Sequence, residues 1–129
     1  MSTEPVNDLP ERTKRFAINV LRLIDRMPDS VVAKTISYQV SKSAPSQAAN
    51  YREARRARSN KEFISKLNIS IQETEETRFW LECIAELFPQ IGEAADPLLN
   101  ESSELIAIYT ASVKTASGHE NETPDRAPV

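Results

Sequence analysis

From Ser59 to Phe88 the apolar residues return at a spacing that one kind of element satisfies. Phe63, Leu67, Ile71, Thr74, Phe79 or Arg78, Leu81, Ile84 and Phe88 recur at helical spacing. About thirty residues at 1.5 Å each predict a rod of roughly 40 Å. Ser59-Asn60-Lys61-Glu62 opens this run as a capping box, serine at the cap and glutamate three residues later, and Pro89 and Gly92 are expected to close it. A helix this long needs neighbours to cover its stripe. With only 2 glycines in 129 residues the chain has almost nothing for hairpin turns, so those neighbours are helices too.

Three further segments read that way. Asp8, with Glu11 three residues on, starts a first helix whose Phe16, Val20, Leu23, Ile24 and Met27 form one stripe, ending before Pro28. Asp29 is the expected cap of a second helix, from about Ser30 to Arg58, on the line Val32, Ile36, Val40, Ala44, Ala48 and Tyr51. Pro45 should either kink it near Ser41 or split it, and the kink is favoured because no glycine or loop-like run separates the halves. Asp96-Pro97 supplies a cap and a first-turn proline for a fourth helix carrying Leu99, Ile106 and Val113 every seven residues, with Leu98, Leu105 and Tyr109 alongside. The predicted fold is all-α: an up-and-down antiparallel four-helix bundle over residues 8–117, after a flexible N-terminus (1–7) and before a disordered tail (118–129). Ile69, Trp80 and Leu87 lie off the main stripe of the third helix, surplus apolar surface that suits a central helix or a subunit interface.

Several functional classes lack their residues. The only histidine, His119, falls in the tail, so a Ser/His/Asp triad, a Cys83/His pair and a di-iron carboxylate site have no imidazole to draw on. There is no glycine-rich phosphate loop, and one cysteine makes neither a disulfide nor a cysteine-built zinc site. The expectation is a non-enzyme with no cofactor and no metal. The alternative rests on Glu73-x-x-Glu76 and Glu93-x-x-Asp96, whose spacing resembles the Mg²⁺-holding carboxylates of all-helical nucleotide pyrophosphohydrolases. Against it, Glu93 reads as loop and Asp96 as a cap. Lacking a membrane-length apolar run and a signal-peptide layout, the chain is expected to stay in the cytoplasm.

Charge gives the positive signal. Residues 1–66 hold 13 Lys/Arg against 7 Asp/Glu, and residues 67–129 hold 3 against 12, under a net charge of −3. Arg52, Arg55, Arg56, Arg58 and Lys61 cluster with one acid, Glu53, among them. Arg52, Arg55 and Arg56, at i, i+3 and i+4, share a helix face and can offer guanidinium groups to the phosphates of RNA or DNA. The alternative is that they pair with the acidic third helix of the same or a neighbouring subunit. Ser46, Asn50 and Glu53, beside the buried face of the second helix, read as a hydrogen-bonded network fixing register or a subunit contact.

The run Ser43-Ala44-Pro45-Ser46-Gln47-Ala48-Ala49-Asn50-Tyr51-Arg52-Glu53-Ala54, with Ser59-Asn60-Lys61-Glu62-Phe63-Ile64, Glu73, Glu76-Thr77 and Trp80-Leu81-Glu82 after it, resembles the four-helix-bundle family of proteins encoded by intervening sequences in large-subunit ribosomal RNA genes. The resemblance spans about residues 8–117. It implies a subunit of a ring-shaped homopentamer without catalytic activity. The accessory protein of diversity-generating retroelements is similar in fold and works with a reverse transcriptase and nucleic acid, so the resemblance also implies nucleic-acid association and a protein partner of that kind. Many members carry glycine where this chain has Ala54, which bears on any close backbone approach there.

Overall fold

The computed structural model describes residues 8–122. Its helix starts follow from side chains that supply hydrogen bonds to unpaired backbone amides. Ser59, in extended conformation, accepts the Glu62 amide on Oγ at 3.1 Å, and α3 (Asn60–Leu87) begins where the sequence predicts. Glu62 returns to the amide of Arg58, at 3.5 Å, instead of that of Ser59. Ser59→Ala is expected to lower stability by about 1 kcal/mol in urea unfolding; an unchanged midpoint would contradict this role.

Asp8 accepts the Glu11 amide and opens α1 (Leu9–Ile24). This helix stops three residues before Met27, because the amides of Arg26 and Met27 turn to the carbonyls of Leu23 and Ile24, three residues back, ahead of Pro28. Ser30, not Asp29, caps the next helix by accepting the Ala33 amide at 3.1 Å, while Asp29 instead pairs with Lys34. The second helix, α2 (Val31–Arg55), runs unbroken through Pro45, which rules out the split. The Ser41 carbonyl, four residues before Pro45, lies on an exposed residue where its lost amide partner costs little. The helix ends at Arg55, three residues short of the expected Arg58, as the amides of Arg56 and Ala57 close onto Glu53 and Ala54.

The fourth helix departs most from expectation. After α3 a 3₁₀ turn, Pro89–Ile91, leads directly into α4 (Gly92–Glu122). Asp96 and Pro97 therefore lie inside a helix instead of opening it. Gly92 permits the early start: a Cβ there would come 3.2 Å from the Ala85 carbonyl oxygen of the last turns of α3. Helix α4 also continues past Gly118, and residues 123–129 of the expected tail, like residues 1–7, lie outside the described residues.

Helix α3 packs along both α2 and α4; α1 lies against α2 and more lightly against α4. The core they enclose is built from Phe16, Val20, Val40, Leu67, Leu81, Ile84, Leu105 and Tyr109, each with almost no exposed surface. Ala54 is buried as well, so this bundle accommodates a β-carbon at that position. Asn60 is buried and donates to the Ala116 carbonyl at 2.5 Å, which fixes the start of α3 against the far end of α4. No described helix is long and apolar enough to cross a membrane.

Candidate nucleic-acid interface

The last turns of α2 and the first turn of α3 meet at one end of the bundle, and the five cations of the cluster collect there. Arg52, Arg55, Arg56, Arg58 and Lys61 are all exposed. Arg52 and Arg55 sit in the final turn of α2, where a cation is favoured by the helix dipole; Lys61 sits in the first turn of α3, where it is not. Among the described residues none of the five lies within ion-pair distance of a carboxylate. Arg55 donates to the Tyr51 hydroxyl at 3.4 Å. Glu53, the one acid in the cluster, is held by Lys66 of α3 at 2.7 Å, a contact that raises the Lys66 ammonium above its ordinary pKa. Pairing of these arginines with α3 of the same subunit is thus not what the bundle does.

Three acids of α3 and α4 have other partners. Arg12 of α1 grips Glu101 with two hydrogen bonds, 2.6 and 2.8 Å, and reaches Glu104 at 2.7 Å, pushing its own pKa further up. Arg78 pairs with Glu82 within α3. Ser46 and Asn50 lie in the α2–α3 seam, where the Asn50 amide donates to the Ser46 carbonyl at 3.0 Å and to its hydroxyl at 3.2 Å.

Glu73, across that seam, has its pKa raised by burial and by neighbouring Glu76, against the opposing pull of Ser46 and Lys42. A raised carboxylate pKa means that ionised Glu73 works against folding above that value, and that this cost fades as the pH falls through it. Glu73→Gln is therefore expected to raise Tm at pH 7, with the difference narrowing toward pH 4; the opposite trend in calorimetry would contradict this.

The two carboxylate pairs of the hydrolase alternative do not converge. The hydrogen bond from Arg78 Nε to Ser103 Oγ, 3.0 Å, ties α3 to α4. Among the described residues no three His, Cys, Asp or Glu side chains gather as a metal site requires.

One residue of structural weight went unrecognised in the sequence reading. Gln47 is fully buried; its Nε2 donates to the Thr13 carbonyl of α1 at 3.0 Å, and its Oε1 accepts the Tyr109 hydroxyl of α4 at 2.6 Å. Its own carbonyl accepts from Ser70 of α3 at 2.9 Å, so all four helices meet at Gln47. Beside it Ser43 and Thr77 share a hydrogen bond of 2.7 Å. Burial drives the Tyr109 phenol well above its ordinary pKa, which keeps it a neutral donor. The available signal was position: Val40, Ala44, Gln47 and Tyr51 are spaced four, three and four.

Comparison with known proteins adds a lineage to this geometry. The sequence model of the family described as 23S rRNA-intervening sequence protein matches residues 7–111. Among solved structures, a protein of unknown function of the S23 ribosomal protein family from Bacteroides thetaiotaomicron is 28% identical. It aligns over 82% of this chain and 98% of that one, with a TM-score of 0.68. No curated protein matches.

Proposed function

Since the chain belongs to the 23S rRNA-intervening sequence protein family, we propose that it acts without catalysis, as a homo-oligomeric, pentameric scaffold or accessory protein that binds RNA or DNA through Arg52, Arg55, Arg56, Arg58 and Lys61. The observation that carries this reading is the set of five exposed cations with no carboxylate within ion-pair distance among the described residues, Glu53 being taken by Lys66 and Glu62 turned to the Arg58 backbone amide. Unpaired surface cations repel one another, whereas a phosphate backbone releases counterions on meeting them. Repetition around a ring would multiply a weak contact made by one subunit. In this role the protein would serve a nucleic-acid-handling enzyme such as a reverse transcriptase.

The test is titration of a labelled RNA and a labelled DNA duplex at low salt. Binding at micromolar protein or tighter is expected, and absence of binding to both overturns the reading. Glu53→Gln removes the negative charge that lies among the arginines and releases Lys66, so it is expected to tighten binding several-fold in fluorescence anisotropy; weaker binding would contradict the placement of the site. A second reading, an oligomer that binds only protein, is favoured by the exposed apolar side chains of α3 and predicts assembly without any affinity for polyanions.

A further inference from the structure

Two apolar surfaces of this bundle face outward on different elements. On α3, Phe79 and Leu87 are 53% and 54% exposed, and Phe79 packs edge-on against half-buried Trp80 with ring centroids 5.0 Å apart. Between α1 and α2 runs an open groove of two adjoining hollows, about 580 and 520 Å³, lined by Ile18, Leu21, Ile24, Met27 and Tyr38. Tyr38 is 61% exposed. One surface projects aromatic and aliphatic side chains; the other receives them.

Charge decides how two copies can bring these surfaces together. The α1–α2 layer, residues 8–58, carries eleven Lys/Arg against five Asp/Glu, while residues 59–118 carry four against ten. Among the described residues the only ion pairs between the layers are those of Arg12 with Glu101 and Glu104, and of Lys66 with Glu53, so most of this imbalance stays on the surface. Glu75, Glu76, Glu82 and Glu86 are exposed around Phe79 and Leu87. A two-fold contact of α3 on α3 would set these carboxylates against their own copies. Placing α3 of one copy on the α1–α2 layer of the next sets them against a layer of net positive charge; at the groove itself Asp29 is held by Lys34, and Arg22 and Lys42, the latter over the Tyr38 ring, outnumber the remaining acid, Asp25.

We infer that copies of this chain join head to tail, the Phe79–Trp80–Leu87 face of α3 on one copy seated in the α1–α2 groove of the next. This rests on the homo-oligomer reading and goes beyond it by naming both faces and the sense of assembly. Such a contact is heterologous: every copy uses one face of each kind, and the assembly grows until a ring closes.

The experiment is sedimentation velocity on the full chain, comparing the unmodified protein with Phe79→Asp, Tyr38→Asp and a mixture of the two. Each variant changes an exposed residue, so helicity by circular dichroism should be unchanged; one that loses helicity is replaced by Leu87→Asp or Arg22→Glu. Each variant alone is expected to be monomeric. The mixture keeps one intact groove and one intact α3 face between unlike subunits, so it is expected to form a one-to-one dimer and to stop there. An oligomeric unmodified protein whose folded variants stay oligomeric, or whose mixture stays monomeric, overturns the head-to-tail inference and leaves the homo-oligomer reading standing. An unmodified protein that remains monomeric at high concentration overturns both.

Discussion

Replacing Gln47 with alanine is expected to destabilise the subunit more than any surface change considered above. The substitution leaves the buried Tyr109 hydroxyl without its acceptor and the Thr13 carbonyl without its donor, and it opens a void where four helices meet. Stranded buried polar groups cost about 1–3 kcal/mol each. With the void added, a loss of about 3–5 kcal/mol is expected. Against a total stability of about 5–15 kcal/mol, this is enough to leave the variant partly unfolded at 37 °C. Tyr109→Phe strands only Gln47 Oε1, and its cost should be smaller, about 1–2 kcal/mol. Urea unfolding at a fixed protein concentration separates the two, since assembly also contributes to apparent stability. A Gln47→Ala midpoint close to that of the unmodified protein would mean that the network adds little.

The second large effect is on binding. Changing Arg52, Arg55 and Arg56 together to glutamate removes three cations from the cluster and adds three anions. The expected loss of nucleic-acid affinity is about 100-fold or more at moderate salt. All three side chains are exposed, so helicity should hold, with a modest fall in melting temperature from reversing the two charges that the α2 dipole favours. Arg26→Glu, in the α1–α2 turn at the opposite end of the bundle, is the control and should change affinity only a few-fold. Equal losses from the two variants would show that binding follows overall charge and not this site.

How much of this was legible in the sequence varied with the kind of signal. Caps made by a side chain at a fixed offset were readable: Ser59 and Asp8 do what their spacing predicts. The choice between Asp29 and Ser30 was not, because both are good caps and the winner is set by which one adopts the extended backbone. The start of α4 was misread for a related reason. Asp-Pro is a strong helix-opening signal, yet tertiary packing overrode it: Gly92 lets the chain turn closely against Ala85, and the helix is already under way when Pro97 arrives. The surplus apolar surface of α3 was visible as residues off the main stripe, and Leu87 is indeed exposed while Trp80 is half-buried. The basic cluster could be listed from the sequence, but its freedom from partners could not. That depends on Lys66 coming across from α3 to neutralise Glu53 and on Arg12, at the other edge of the bundle, engaging Glu101 and Glu104.

The decisive measurement for the polyanion-binding reading is the salt dependence of nucleic-acid binding by the unmodified protein, followed by anisotropy of a labelled RNA between about 50 and 200 mM salt. Contacts from several cations per subunit predict a linear fall of log K with log salt, with a slope steeper than about −2, and a shallower slope in the Arg52, Arg55 and Arg56 variant. No binding at the lowest salt, or binding indifferent to salt, would contradict it.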